Sequence, residues 1–237
     1  MPNILIYLLG IILLILIMIM LFFLGLHIRF KQLENEKYTH EERFKIVSWI
    51  ASWAVPLLFR AKIEATGLEY LEQAKTGVLF PNHQSWMDTA ILLNLVKRPH
   101  GYVAKKELEQ IILLSAGMRL IRCEFIDRED LRQSIKVISS AAKKVKEGHL
   151  MVIYPEGRRV IQGELGLFKP GSFKIAQKAK ADVIPVTIYN SYEISRRFPK
   201  RTVVKIKIHP PISYEQYEHL STKEISEKVE KIVKSQL

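Results

Sequence analysis

An uninterrupted apolar run near the N-terminus constrains this chain more than any other feature. Residues 4–26, ILIYLLGIILLILIMIMLFFLGL, contain no charged side chain, and the first Lys and Arg residues, Arg29 and Lys31, follow the run. As a helix the run is roughly 34 Å long at about 1.5 Å per residue, whereas the hydrocarbon core of a bilayer is about 30 Å thick. A cleaved signal peptide has a basic start and a shorter apolar core, so the run predicts a membrane helix.

A second apolar stretch at 44–60, FKIVSWIASWAVPLLFR, contains Trp49 and Trp53, which are typical of the membrane–water interface. It is short for a span. Residues 1–60 are therefore predicted to be a two-helix membrane-associated segment, either a span plus an interfacial helix or a hairpin dipped into one leaflet. The alternative is that 44–60 packs on the folded body. If the first helix spans, the basic residues that follow it place the body on the cytoplasmic face of the cell membrane.

The rest of the chain is cationic. The sequence has 36 Lys and Arg against 24 Asp and Glu, a formal net charge of +12. This charge favours anionic partners, namely phosphates, an anionic bilayer, nucleic acid or an acidic protein. The single cysteine, Cys123, excludes an internal disulfide framework.

Residues 61–237 are predicted to form one α/β domain, because short apolar runs alternate with helical patterns. The predicted strands are 62–66, 77–81, 101–104, 120–126, 149–154, 183–189 and 202–209. The predicted helices are 87–97, 106–116, 130–147, 171–180 and 222–235. The expected fold is a mixed, mostly parallel sheet flanked by helices.

A histidine and an aspartate follow the strand predicted at 77–81. His83 and Asp88 are five residues apart, which is about 140° around a helix, so they meet only if His83 lies in the turn and Asp88 at the helix start. A carboxylate on one ring nitrogen fixes the histidine tautomer and leaves the other nitrogen free to take a proton. On these residues alone, a catalytic pair and two structural polar residues both remain open.

Other polar groups follow other predicted strands. Lys105 follows 101–104, Asp127 and Arg128 follow 120–126, and Glu156-Gly157-Arg158-Arg159 follow 149–154. Ligands of α/β sheets bind beyond the carboxyl ends of the strands, and the planar guanidinium of arginine matches phosphate oxygens. The sequence contains no G-x-S-x-G, H-E-x-x-H, P-loop or G-x-G-x-x-G motif.

In order and spacing these motifs resemble the PlsC-type glycerolipid acyltransferases, the 1-acyl-sn-glycerol-3-phosphate (lysophosphatidate) acyltransferases. The matching motifs are N-H-x-x-x-x-D at 82–88, K-K-E-L at 105–108, F-I-D-R at 125–128, P-E-G-x-R at 155–159 and I-P-V at 184–186. The resemblance covers roughly residues 62–190. It implies transfer of a fatty acyl group from an acyl carrier protein or coenzyme A thioester to the sn-2 hydroxyl of 1-acyl-sn-glycerol-3-phosphate, giving phosphatidic acid.

The resemblance also implies residue roles. His83 is the general base and Asp88 its partner. Substrate contacts are assigned to Asn82, Lys105, Arg128, Glu156, Gly157 and Arg159. The acyl pocket is assigned to Ile184, Pro185 and Val186. No metal and no cofactor beyond the thioester co-substrate are expected. Many members have Phe where this chain has Tyr154, and Thr where it has Arg158.

Several points stay open at this stage. Backbone N–H groups near 83–88 are expected to stabilise the oxyanion. The basic residues Arg196, Arg197, Lys200 and Arg201 fit anionic lipid headgroups, an acidic carrier protein or a solvated loop equally well.

Rival functions are an acyltransferase acting on glycerol-3-phosphate or another lysophospholipid, a membrane-bound lipid esterase using Ser85, and a non-catalytic basic module. The expected partners are membrane lipid and the acyl thioester, and not nucleic acid.

Overall fold

The computed structural model describes residues 2–160 and 164–237. Its α-helices are α1 (Pro2–Leu33), α2 (His40–Trp53), α3 (Glu69–Gln73), α4 (Asp88–Leu95), α5 (Ile112–Leu120), α6 (Leu131–Lys146), α7 (Lys174–Ala179), α8 (Glu193–Arg197) and α9 (Thr222–Lys234). Its strands are β1 (Ala61–Thr66), β2 (Gly77–Pro81), β3 (His100–Lys105), β4 (Glu124–Ile126), β5 (Leu150–Val152), β6 (Asp182–Tyr189) and β7 (Thr202–Ile208).

The strands form one sheet in the order β1-β7-β6-β2-β5-β3-β4. Every neighbouring pair is parallel except β6 and β7, which are antiparallel. The predicted fold, a mixed and mostly parallel sheet flanked by helices, is confirmed.

This topology brings several chain segments to one edge of the sheet, which we call the carboxyl edge. Strands β2 to β6 run in one direction and all end there. Strand β7 is antiparallel to β6 and β1 is parallel to β7, so both begin at the same edge. The polar residues that follow β2, β3, β4 and β5 therefore lie on one side of the molecule.

The central strands of the sheet are buried on both faces because their side chains alternate between two apolar clusters. Leu79, Val152 and Ile184 face a cluster that includes residues of α2 and α4. Val78 and Phe80 face a second cluster that includes residues of α6, α7 and α9. This arrangement explains why the central strands are continuously apolar, as both-face burial requires.

Within the described residues, α1 is the one helix long and apolar enough to cross a membrane, with a mean hydropathy of 3.2 in its most apolar window. None of that window is buried in the protein. Only the C-terminal end of α1 packs on the body, where Phe30 and Leu33 contact Ala116 and Leu120 of α5.

The stretch 44–60 combines the two interpretations left open by its sequence. Phe44, Ala51 and Val55 are buried in the same cluster as the sheet. On the opposite side, Trp49 and Trp53 are 60% and 54% exposed. Helix α2 is therefore part of the folded body and also presents an aromatic surface.

Two predicted elements differ most from the structure in their boundaries. The helix predicted at 106–116 is a short 3-10 turn, Lys106–Gln110, followed by α5, and the strand predicted at 120–126 begins only at Glu124. Helix α5 continues to Leu120 because its small residues fit against α1, and a β-carbon on Gly117 would lie 3.1 Å from the Phe30 ring. A contact between segments so distant in the chain leaves no signal in the local pattern.

Candidate active site

His83 and Asp88 meet at the carboxyl edge. His83 lies in the turn after β2, Asp88 is the first residue of α4, and His83 Nδ1 is 2.8 Å from Asp88 Oδ2. The histidine side chain is 18% exposed and that of the aspartate is fully buried. Since a carboxylate oxygen accepts, Nδ1 carries the proton and Nε2 is left as the acceptor nitrogen. Among the described residues, Nε2 has no hydrogen-bond partner.

The buried carboxylate is held from several directions. Asp88 Oδ2 also accepts hydrogen bonds from the backbone N–H groups of Gln84 and Ser85, each at 2.8 Å. Its position at the helix N-terminus favours a negative charge. These contacts fix the orientation of Asp88, and through Asp88 that of the imidazole.

The Pro-Glu-Gly-Arg-Arg segment clamps the backbone of His83. The N–H of His83 donates to Glu156 Oε1 at 2.9 Å, and the carbonyl of His83 accepts from the N–H of Val160 at 2.8 Å. Glu156 Oε2 accepts from the N–H of Gly166 at 3.3 Å. Burial raises the pKa of Glu156 to about 7. Glu156 was predicted to contact substrate; in the structure it supports the His83 turn, and each of its oxygens accepts from a backbone N–H.

Tyr154 stacks on His83, with ring centroids 4.0 Å apart and planes 23° from parallel. Its hydroxyl lies 3.5 Å from Thr89 Oγ1 of α4. Burial, and then the negative charge of Asp88, hold the Tyr154 pKa well above its usual range, so the phenol stays protonated. The tyrosine therefore restrains the tilt of the imidazole ring, and Asp88 restrains the orientation of the ring within its own plane.

Two cations flank Gly157 beside this pair. The Arg128 guanidinium donates to the Gly157 carbonyl. A β-carbon on Gly157 would lie 3.0 Å from Lys169 Nζ and 3.5 Å from Arg128 Nη1, and Gly157 has a φ of +68°. The left-handed backbone favours glycine here, and a side chain at this position would also displace the Lys169 ammonium group.

Further basic residues border the same edge. Lys105 ends β3 next to Ile126 of β4 and pairs with Glu107 at 2.8 Å. Arg158 and Arg159 are exposed, and no carboxylate of the described residues lies within salt-bridge distance of either. We call Lys105, Arg128, Arg158, Arg159 and Lys169 the cationic rim.

Two groups of predicted substrate contacts are corrected. Asn82 is fully buried and uses both ends of its amide on Ile188, donating to its carbonyl at 2.9 Å and accepting from its N–H at 2.7 Å. It therefore ties β2 to β6.

Ile184, Pro185 and Val186 lie inside β6, buried in the sheet, with Ile184 and Val186 packed in the core cluster. They build the core instead of lining an open acyl pocket.

The amides of 83–88 are also largely committed. The N–H groups of His83, Gln84, Ser85 and Met87 donate to side-chain oxygens, and that of Asp88 donates to the Ser85 carbonyl. Within the described chain, Trp86 N–H is the one amide of this segment without a protein acceptor. Within this segment, the expectation that backbone N–H groups stabilise the oxyanion is therefore left to Trp86 N–H.

Ser85 does not form a nucleophile–base pair with His83. Its Oγ accepts from the N–H of Met87 at 3.2 Å, and the residue is buried. A serine esterase needs its hydroxyl within hydrogen-bond reach of the histidine. This geometry disfavours the esterase alternative.

Tyr154 and Lys169 were not predicted as site residues. Tyr154 appeared only as a departure from a common Phe, and Lys169 lies beyond the motif block. The signal for Tyr154 was its place at the carboxyl end of a buried strand, directly before Pro155-Glu156. Lys169 is brought back by a backbone hydrogen bond from its N–H to the Pro155 carbonyl at 2.9 Å, which local sequence cannot reveal.

Comparison with known proteins gives a consistent result. Residues 62–189 match the Acyltransferase family model. A probable 1-acyl-sn-glycerol-3-phosphate acyltransferase of Mycoplasma genitalium is 30% identical over 218 residues, covering 83% of this chain and 80% of the relative. The 1-acyl-sn-glycerol-3-phosphate acyltransferase of Borreliella burgdorferi is 29% identical over 171 residues, covering 71% of this chain and 65% of the relative.

Among solved structures, the crystal structure of the 1-acyl-sn-glycerophosphate acyltransferase PlsC from Thermotoga maritima superimposes with a TM-score of 0.72. It is 26% identical and the match covers 89% of this chain and 85% of that one. The family model, the relatives and the solved structure agree with one another. The chain therefore belongs to the acyltransferase family, among the PlsC-type glycerolipid acyltransferases.

Proposed function

We propose that this chain transfers a fatty acyl group from an acyl thioester to the sn-2 hydroxyl of 1-acyl-sn-glycerol-3-phosphate, giving phosphatidic acid for phospholipid synthesis. The observation that carries the proposal is His83, held by Asp88 through Nδ1, with Nε2 unpartnered among the described residues and a rim of cations on the same edge. The names of the relatives add support, since two of them are 1-acyl-sn-glycerol-3-phosphate acyltransferases, one of these given as probable.

The proton path follows from the tautomer. The acceptor hydroxyl donates to His83 Nε2, and its oxygen attacks the thioester carbonyl as the proton moves to the ring. The new C–O bond forms, the tetrahedral intermediate collapses, and the C–S bond breaks. The imidazolium then returns its proton to the departing thiolate, and Asp88 stabilises the imidazolium throughout.

The cationic rim supplies the phosphate site in this proposal. Arg128 and Lys169 approach each other across Gly157, and Lys105 and Arg159 lie on the same edge. Arginine forms paired hydrogen bonds with phosphate oxygens, and lysine adds a compact charge. Because Lys169 and Arg128 lie next to the Glu156 turn that holds His83, a phosphate bound there places the glycerol hydroxyls near Nε2.

No metal or cofactor enters the proposed mechanism. The thioester is already activated and histidine supplies the base, so an acyl carrier protein or coenzyme A thioester is needed only as co-substrate. The net charge of +12 fits either donor, since both are anionic.

The membrane segment fits a lipid acceptor. The acceptor and product both carry fatty chains and stay in the bilayer, and α1 is exposed and apolar over most of its length. Arg29 and Lys31 follow the apolar run, which favours a body on the cytoplasmic face.

The test is acyl transfer by the purified chain in detergent micelles and in vesicles. Radiolabelled 1-acyl-sn-glycerol-3-phosphate, glycerol-3-phosphate and a zwitterionic lysophospholipid are each paired with both thioester donors. We expect transfer to 1-acyl-sn-glycerol-3-phosphate to have the highest kcat/KM. A higher value for either other acceptor contradicts the proposed substrate, and no transfer to any acceptor contradicts the proposed reaction.

A further inference from the structure

An exposed basic loop lies at the carboxyl edge and has no part in the chemistry described above. Residues 195–201, SRRFPKR, are the last three residues of α8 and the four that join it to β7. All seven are exposed, and Phe198 is 61% exposed. The loop contains four basic residues and no acidic one. Arg196 pairs with the neighbouring Glu193 at 3.3 Å, whereas Arg197, Lys200 and Arg201 have no carboxylate partner among the described residues.

The body holds this loop in place. Ile194 of α8 is buried in the core cluster, and the N–H of Thr202 donates to the Arg60 carbonyl at 3.0 Å. Arg60 is exposed and follows Leu57, Leu58 and Phe59, of which the two leucines are also exposed. Residues 57–60 therefore combine exposed apolar and basic side chains, as the loop 195–201 does.

Trp86 extends the same surface toward the catalytic pair. It lies between His83 and Asp88, is 58% exposed, and packs edge-on against Phe59 at 5.2 Å between ring centroids. The loop follows β6, and β6 is next to β2, which leads to His83. Exposed aromatic and basic side chains therefore surround one side of the site.

Helix α2 brings a further apolar surface to this edge. Phe44 of α2 contacts His100, the first residue of β3, so α2 starts at the opposite edge and ends near the start of β1, at the carboxyl edge. Trp49 and Trp53 in the second half of α2 are 60% and 54% exposed, and Leu57 and Leu58 beyond its end are also exposed. Exposed aromatic and aliphatic side chains therefore approach the carboxyl edge together with the basic residues of the loop.

We propose that the basic loop 195–201 docks on an anionic bilayer, with Phe198 inserted and Arg197, Lys200 and Arg201 at the headgroups. The loop would be a second contact besides α1, one that turns the His83 side of the body toward the lipid. This proposal adds a membrane contact to the proposed function. It rests on that function in one respect, namely that the bilayer holds the lipid acceptor. An acidic carrier protein could use the charges, but exposed aromatic and aliphatic side chains mixed with them fit a membrane interface better.

Probe insertion tests the contact directly. Cys123 is buried, so Phe198→Cys gives one accessible thiol for an environment-sensitive fluorophore. Lys146→Cys, in the last turn of α6 at the opposite edge, is the matched control. In vesicles of phosphatidylglycerol and phosphatidylcholine with an acyl-chain spin label, we expect quenching at 198 at least about twice that at 146. Equal quenching at the two positions would overturn the proposal.

Removing positive charges from the loop distinguishes docking on a bilayer from docking on the carrier protein. Arg197→Gln/Arg201→Gln and Lys143→Gln/Lys146→Gln each remove two positive charges, at opposite edges. Only the loop variant should raise the acceptor KM on anionic vesicles, roughly three- to tenfold, with no change in micelles. A higher KM for the carrier-protein thioester alone would assign the loop to that protein and overturn the proposal. If no variant and no wild-type protein transfers acyl groups, the proposed function fails while the quenching result still decides the loop.

Discussion

The catalytic pair and the cationic rim occupy the same edge of the sheet but are built in opposite ways. Asp88 is fully buried and accepts three hydrogen bonds, and His83 is held through its ring, its backbone and a stacked tyrosine. In the rim, Lys105 is 60% exposed and pairs only with Glu107, which is next but one in the chain. The pair is therefore preorganised for proton transfer, whereas the rim can adjust to a phosphate group arriving on a lipid.

This difference predicts that the two regions control different kinetic constants. Groups fixed in a buried network lower the barrier of the chemical step, because they do not reorganise during reaction. Exposed cations contribute mainly to binding, where solvent screening limits each one. Changes to the pair should lower kcat, and changes to the rim should raise the acceptor KM.

Asp88→Asn gives the largest expected effect among variants that keep the histidine. Asparagine keeps the shape but loses the charge that stabilises the imidazolium and can favour the wrong tautomer. We expect kcat to fall by roughly 10²–10⁴ with the acceptor KM changed less than about threefold. Asp130→Asn, at the N-cap of α6, is the control for removing an acid. A raised KM with kcat intact would erase the distinction between pair and rim.

Glu156→Gln tests whether the carboxyl group that supports the His83 turn makes the stability of the protein depend on pH. Burial raises the Glu156 pKa to about 7 from a reference of 4.5. Between these values the folded state keeps a proton that the unfolded state releases, so stability falls as pH rises. We expect urea unfolding to show the wild type losing on the order of 2–3 kcal/mol more than Glu156→Gln between pH 4.5 and pH 8. Parallel pH profiles for the two proteins would show that Glu156 is not the group titrating.

Arg128→Gln tests whether the cationic rim acts mainly in binding of the acceptor. It removes the charge next to Gly157 while keeping a side chain able to hydrogen-bond the same carbonyl. Because Arg128 is exposed, we expect a rise of roughly tenfold in acceptor KM and a change in kcat below about threefold. Lys143→Gln, at the opposite edge, should leave both constants unchanged. A large loss of kcat at saturating acceptor would place Arg128 with the catalytic pair instead.

Tyr154 gives the smallest expected effect. Stacked aromatic pairs contribute about 0.5–1.5 kcal/mol, so Tyr154→Ala should lower kcat roughly three- to tenfold. Tyr154→Phe keeps the ring and loses only a 3.5 Å contact with Thr89, so its kcat should stay within about twofold of wild type. Equal losses in the two variants would assign the effect to the hydroxyl and not to the ring.

The sequence predicted those parts of the structure that depend on local pattern. Alternating apolar runs gave the sheet type, and the turn at Pro81-Asn82 correctly placed His83 against Asp88. The ends of α5 and the beginning of β4 were missed because they depend on packing against α1, some eighty residues earlier in the chain.

The roles of individual motif residues were harder to predict. Asn82 and Glu156 are polar residues of the motifs, yet both hold backbone groups of other segments, Ile188 and His83 respectively. In the sequence, a polar residue that ties two segments together cannot be distinguished from a polar residue that contacts substrate. Only the position of the partner atoms separates them, and those partners lie 106 and 73 residues away.

The central claim is that His83 Nε2 removes the proton of the acceptor hydroxyl. The most direct measurement is the single-turnover rate of acyl transfer in detergent, with both substrates saturating, for wild type, His83→Ala and the exposed control His219→Ala. The rate should be lower by roughly 10²–10⁴ in His83→Ala alone, with acceptor affinity unchanged. A rate within about tenfold of wild type would contradict it.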